Sequence, residues 1–322
     1  MRFAALLGIL CLASTSLLAQ PPTVLRLAHP QPETSAFQSA AQAMADDFER
    51  RSNGRYRIAI FPAGSLGGER ELVASVQNGS LDLVLTSTGP VGHFVPETLL
   101  TDVPFLFRDS AHARQVLDGP IGQDILARFP AKGLIGLAWG ENGFRHLTNN
   151  RRPVRTPEDL RGLKIRTMEN PVHITAFKVL GAQTTPLSFT DLPAALRLGT
   201  VDGQENPLPT ILASGFAPLQ KYLSLTGHVY SPALFIASPA TYAKLSESDR
   251  KALTEAARTG GKAMRERVSE IEANALEELK AQGMAVETEI DKARFQAALA
   301  PAYTDYAKRF GAHTLERIRN YR

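Results

Sequence analysis

The chain has 322 residues, 43% of them hydrophobic and 21% charged. That composition excludes a disordered protein, and the length exceeds what one core usually serves, so two lobes are expected. The net charge of +4, from 36 Lys and Arg against 32 Asp and Glu, comes without a basic run. This argues against nucleic acid or a membrane surface as partner.

Taken in chain order, the first feature is Arg2 followed by an apolar or small-residue run to Leu18, then Ala19 before Gln20 and two prolines. This reads as a secretory signal peptide over residues 1–19 and an exported, periplasmic product. The run is shorter than the roughly 20 residues a spanning helix needs. Cys11, the only cysteine, lies inside it. The exported protein would then have no disulfide, thiolate metal site or cysteine nucleophile.

Residues 24–28 alternate as a strand. Phe37, Ala41, Met44 and Phe48 recur at helical spacing until Asn53-Gly54. Residues 56–61 form a second strand ending at Pro62-Ala63-Gly64, residues 69–77 a short helix, and residues 81–85 a buried strand. This rhythm means βαβ units, whose ligands sit beyond the carboxyl ends of the strands. The loops after Ala28, Phe61 and Leu85 should therefore line one cleft. A second α/β pattern follows, with strands at 134–139 and 163–166 and helical stretches at 172–180 and 192–198. Residues 149–157 read as a basic, proline-containing loop. From about 249 to 282 a proline-free stretch keeps an apolar stripe through Leu253, Met264, Val268, Ile271, Ala275 and Leu279. It predicts a helix of roughly 45–50 Å, long enough to brace two lobes, with Gly260-Gly261 as a weak point or kink.

Nucleophile-elbow, phosphate-loop, dinucleotide and zinc-protease motifs are absent, and the seven histidines are scattered without metal spacing. No catalytic residue, metal or cofactor is expected. Arg145, in Asn142-Gly143-Phe144-Arg145, lies just past a strand, and Arg166 ends the strand 163–166. A guanidinium there can grip a carboxylate through two parallel hydrogen bonds. A structural ion pair is the alternative for each. In Val201-Asp202-Gly203-Gln204-Glu205-Asn206-Pro207, Pro207 pushes Asn206 toward an extended backbone, where its amide could serve a ligand oxygen; an ordinary Asx turn is the other reading. Phe189 reads as cleft wall or core.

These pieces, in this order, resemble the extracytoplasmic solute receptors of TRAP (tripartite ATP-independent periplasmic) transporters for organic acids. The resemblance is carried by Gly64-Ser65-Leu66-Gly67, Asn78-Gly79-Ser80-Leu81-Asp82, Asn142-Gly143-Phe144-Arg145, Leu160-Arg161-Gly162-Leu163-Lys164-Ile165-Arg166, Leu180-Gly181-Ala182, residues 201–207, residues 221–228 and the long late helix. It implies a two-lobed α/β periplasmic binding protein fold with hinge strands and a lobe-spanning helix. Lobe I would comprise residues 23–141 and 232–265, and lobe II residues 142–231 and 266–322, with hinges near 140–142 and 230–232.

It also implies that Arg166 is the main carboxylate contact, that Asn206 orients the ligand, that Arg145 adds a second contact and that Phe189 packs on the ligand. Glu69 and Ser87 from lobe I, and Asn170 from the loop after Arg166, complete the candidate set. Ser87 and Pro90 stand where sialic acid receptors place a glutamate and an arginine, which argues against sialic acid. A dicarboxylate, a 2-oxo or aromatic acid, or a sugar acid stays open. The implied partners are that carboxylate and the small and large membrane subunits of the permease, with the receptor itself monomeric. The competing readings are an exported receptor for a sensor kinase and an exported enzyme acting on acidic substrates.

Overall fold

The computed structural model describes residues 21–322, so the expected signal peptide lies outside the described residues. Nine strands form one mixed sheet. They are β1 (Thr23–Ala28), β2 (Tyr56–Phe61), β3 (Leu83–Ser87), β4 (Ile135–Asn149), β5 (Lys164–Thr167), β6 (Gln183–Pro186), β7 (Gly203–Pro207), β8 (Tyr222–Ala237) and β9 (Ala285–Glu287). The order is β2-β1-β3-β8-β4-β7-β5-β6, with β9 beside β8. β1 runs parallel to β2 and β3, and β5 runs parallel to β6 and β7. Each parallel set is the core of one lobe. The antiparallel pair β4 and β8 joins them, because both strands pass through the two lobes.

Local chemistry accounts for the first lobe. Along β1 Leu25 and Leu27 point inward while Val24 and Arg26 face water, the period of a half-buried strand. The helix Ala36–Arg51 starts at Ser35, whose hydroxyl accepts from the Gln38 amide, an N-cap. It buries Phe37, Ala40, Ala41, Met44 and Phe48 against the sheet. Each large side chain so buried contributes about 1.5–3 kcal/mol.

The long helix is Glu247–Ala281, 35 residues. It begins two residues before the expected 249 because the Ser246 hydroxyl accepts from the Asp249 amide at 3.1 Å. The helix runs unbroken through Gly260-Gly261. A Cβ on Gly260 would lie 2.7 Å from the Ala40 carbonyl oxygen, and one on Gly261 would lie 2.3 Å from that of Trp139. The glycines let the helix press on its neighbours' backbones.

Three further expectations shift. The strand expected at 81–85 is β3, two residues later, so Ser87 is its last residue. The strand expected at 134–139 continues to Asn149 through the Gly143 bulge. Residues 203–207, read as a loop, are the buried strand β7. Nothing in Gly-Gln-Glu-Asn-Pro has high strand propensity. The strand forms because its buried polar side chains find partners on β4: Gln204 on Thr148, and Glu205 and Asn206 on Arg145. No helix among the described residues is long and apolar enough to cross a membrane.

Candidate ligand-binding site

Arg166 sits on β5 between β6 and β7, at the end that faces the other lobe. It is 1% exposed. Its Nε and Nη2 both donate to the Leu187 carbonyl, at 3.0 and 2.6 Å. Its Nη1 is buried with no partner among the described residues. Burial draws its pKa down to about 10, with the carboxylates of Glu205 and Glu69 pulling the other way. The group therefore stays a cation at neutral pH. A buried guanidinium nitrogen without an acceptor is costly, and an incoming anion relieves that cost.

Arg145 is fully buried and already paired. Its Nε donates to Glu205 Oε2 at 2.5 Å, its Nη2 to Glu205 Oε1 at 2.9 Å and to Asn206 Oδ1 at 3.2 Å, and its Nη1 to Ser231 Oγ at 3.3 Å. His228 Nε2 lies 3.1 Å from Glu205 Oε2. Burial favours the protonated form of Glu205, but Arg145, His173 and His228 more than offset it and hold the carboxyl well below the usual range. Burial pushes His228 down. Asn206 is held on both sides, since its Nδ2 donates to Gln204 Oε1 at 2.5 Å.

Glu69 opens the helix Glu69–Gln77 and is buried. Its Oε1 accepts from the Thr86 hydroxyl and the Ser87 amide, both at 2.9 Å. Phe189 is buried in a short 3₁₀ turn beside Phe216. It lines a cavity of about 210 Å³ whose other walls include Pro30, Pro32 and Ala63 from the first lobe. Asn170 caps the helix Pro171–Val179 through its Oδ1, and its Nδ2 donates across the lobes to Asp102 Oδ2 at 2.9 Å. Asp102 also accepts from Thr88 at 2.6 Å, and burial raises its pKa. Arg70 to Glu169 and His93 to the Glu169 carbonyl, both 2.8 Å, close the rim. The two lobes are thus in contact around Arg166.

Several orphaned buried polar atoms belong to this face: His29 Nδ1, Gln31 Oε1, Thr167 Oγ1 and both ring nitrogens of His173. Sequence reasoning named none of these, nor Glu205, His228 or Asp102. Only Glu205 carried a signal, since it stands inside the same motif as Asn206. A cavity of about 1000 Å³ lies elsewhere. It is lined by Phe105, Phe107, Phe144, Glu272, Lys292 and Tyr303 among others and holds none of the candidate residues. Arg108 on its wall is spent on the backbone oxygens of Arg319 and Tyr321. Among the described residues no cluster of His, Cys, Asp and Glu could hold a metal.

Known proteins resemble the chain over nearly its whole length. Residues 27–309 match the family described as bacterial extracellular solute-binding protein, family 7. The 2,3-diketo-L-gulonate-binding periplasmic protein YiaO of Escherichia coli K12 is 37% identical over 298 residues, 92% of this chain and 90% of that one. The crystal structure of a TRAP periplasmic solute binding protein from Polaromonas sp. JS666 bound to D-erythronate superposes with a TM-score of 0.91 at 51% identity. It covers 92% of this chain and 98% of that one. The sugar acid binding protein of Advenella mimigardefordensis in complex with galactonate gives a TM-score of 0.89 at 36% identity, covering 93% and 97%. The chain belongs to family 7 of the bacterial extracellular solute-binding proteins, the two-lobed periplasmic receptors of TRAP transporters, which are substrate-binding proteins and not enzymes.

Proposed function

We propose that this receptor closes its two lobes on a small organic carboxylate and delivers it to the small and large membrane subunits of a TRAP permease. The observation that carries the reading is the buried, unpartnered Nη1 of Arg166 beside a fork already steadied by Leu187. A carboxylate fits that fork geometrically and electrostatically. Asn206 would orient the ligand and Phe189 would pack on it, and the acids bound by the relatives above are all carboxylates. Arg145, by contrast, spends its fork on Glu205, so its part in binding is to shape the site and add positive field.

Closure would turn on the register shift of β4 between Glu141 and Gly143, opposite Pro232 and Ser231 of β8. This divides lobe I (23–141, 232–265) from lobe II (142–231, 266–322). The last helix, Ala312–Arg319, nevertheless packs on the first lobe, where the Ile318 carbonyl meets His112 Nε2 at 2.9 Å. Export would follow cleavage after Ala19, and the receptor would act as a monomer.

The test is a thermal-shift screen over dicarboxylates, 2-oxo acids, aromatic acids and sugar acids. A ligand bound only by the native state stabilises it by RT ln(1 + [L]/Kd). At least one class should raise the melting temperature in a dose-dependent way and compact the protein in small-angle scattering. A flat response across all classes would sink the reading. Uptake by proteoliposomes holding the permease should require the receptor.

A further inference from the structure

We infer that the cleft selects a hydroxylated monocarboxylate and rejects a dicarboxylate, and that Glu69 makes the distinction. The inference rests on the reading of Arg166 as the carboxylate clamp and concerns what the opposite wall accepts.

Glu69 is buried in the first lobe and close enough to Arg166 for its charge to act on that guanidinium. The approach is tight. A Cβ on Gly68, the preceding residue, would lie 2.5 Å from Ser188 Oγ, and Ser188 follows the Leu187 that holds Arg166. One Glu69 oxygen is occupied by Thr86 and Ser87, while Oε2 accepts no hydrogen bond among the described residues. A free carboxylate oxygen on this wall asks for a donor. The neighbouring wall asks for the same thing. Gln31 Oε1 is a buried acceptor with no partner. His29 is buried, which lowers its pKa and keeps it neutral, and its Nε2 is spent on Gln38.

No first-lobe cation balances these acceptors. Residues 29–36, 62–69 and 86–95, the first-lobe loops at the cleft, contain no Lys or Arg. Arg70 is half-exposed at the rim and paired with Glu169. The amino end of the helix Glu69–Gln77 is partly positive, but Glu69 and Glu71 in its first turn offset it. A ligand gripped at one end by Arg166 thus meets, at its other end, a wall of acceptors and net negative charge. Hydroxyl groups supply the missing donors. A second carboxylate brings only acceptors and faces Glu69, and like-charge contact in a desolvated site is strongly unfavourable. An aromatic acid would leave Gln31 Oε1 buried and unpaired and give Glu69 Oε2 no donor.

The experiment is calorimetry on the wild type and Glu69→Gln with matched acids: D-erythronate and galactonate as hydroxylated monocarboxylates, succinate and adipate as dicarboxylates, and butyrate as a bare monocarboxylate. At least one hydroxy acid should bind the wild type on the order of 100-fold or more tighter than the dicarboxylate of the same length. Glutamine keeps the acceptor for Thr86 and Ser87 and turns Oε2 into a donor. Glu69→Gln should therefore weaken the hydroxy acid by about 10-fold and strengthen the dicarboxylate by about 10-fold.

The inference is overturned if a dicarboxylate or butyrate binds the wild type as tightly as the best hydroxy acid, if no hydroxy acid binds, or if Glu69→Gln changes both classes alike. The wild-type comparison stands even if the variant folds poorly. Arg166→Ala in parallel separates the two readings. If it leaves every acid bound as before, the clamp itself is wrong. If it abolishes binding while Glu69→Gln changes nothing, only the selectivity argument fails.

Discussion

Arg166 carries a cost that the proposed ligand would remove, and this allows a quantitative prediction. Burial takes its pKa from an ordinary 12.5 to about 10. Each tenfold loss of proton affinity corresponds to about 1.4 kcal/mol. Burial and the neighbouring Arg145 together thus disfavour the cation by about 3.5 kcal/mol, and contact of the lobes around it without an anion accounts for part of that. The bonds to Leu187 do not change that balance, since both residues lie in the second lobe and stay paired whether the cleft is open or shut.

Arg166→Met keeps a comparable stem and removes the charge. Binding should fall by about 2–5 kcal/mol, or 30- to several thousand-fold, because the carboxylate loses its partner. At the same time the ligand-free variant should populate the closed form up to about 100-fold more than the wild type. Arg166→Lys keeps the charge without the fork. It should bind more weakly than wild type yet stay open when empty. Calorimetry reads the first effect and small-angle scattering of ligand-free protein the second. If Arg166→Met binds within threefold of wild type, and its radius of gyration is unchanged without ligand, then the arginine is structural and the reasoning is wrong.

Arg145→Met should lower stability by about 3–5 kcal/mol in urea unfolding, because Glu205 is left buried without its cation. Adding Glu205→Met should recover most of that loss, whereas a failure to recover would place the effect outside the pair. Glu272, raised to about 7 by burial and then by Glu141, gives a pH test. Its folded pKa lies above its unfolded value, so its protonated form is favoured on folding, and stability is lost as pH rises from about 4.5 to about 7. After a discount for its partial exposure, that loss is about 1–2 kcal/mol. Glu272→Gln should accordingly stabilise the protein at pH 8 and not at pH 4; equal effects at both would contradict it. Gly261→Ala should cost about 1–3 kcal/mol of thermal stability, because its Cβ would sit 2.3 Å from the Trp139 carbonyl oxygen. A neutral result would mean that the helix can slide.

What was legible in the sequence follows from how local each signal is. β1 and the helix Ala36–Arg51 declare themselves through period 2 and period 3.6 among a few consecutive residues. The strand-end position of Arg166 follows from the same local reading. β7 hides because its side chains are polar and become strand-forming only when Thr148 and Arg145, more than fifty residues earlier, arrive beside them. Asp102 and His173 were illegible for the same reason. A lone buried acid or imidazole has no sequence period, and its partner lies on another element. Asn170 was nameable as a site residue, yet its Asp102 contact could only come from three dimensions. Arg145 is the sharpest case: its two readings differ solely in whether a distant carboxylate reaches it, and Glu205 does.

The sheet also explains how two lobes can move without breaking it. Every connection between the lobes within the sheet runs through β4 and β8, and the two strands pair along both lobes. Rotation about strands that stay paired must be absorbed where pairing is already irregular. β4 shifts register between Glu141 and Gly143, and Gly143 has φ 108, a conformation that glycine adopts without strain. The long helix crosses at the same level. A Cβ on Gly143 would lie 2.9 Å from Glu272 Oε1, and Glu141 beside it is tied to Arg114 and Tyr230. The bend and the charges that would resist or permit it therefore share one spot. Closing on an anion at Arg166 and bending at Gly143 would then be coupled through β4 itself, because Arg145, two residues past the bulge, is locked to Glu205 and Asn206 beside the proposed site.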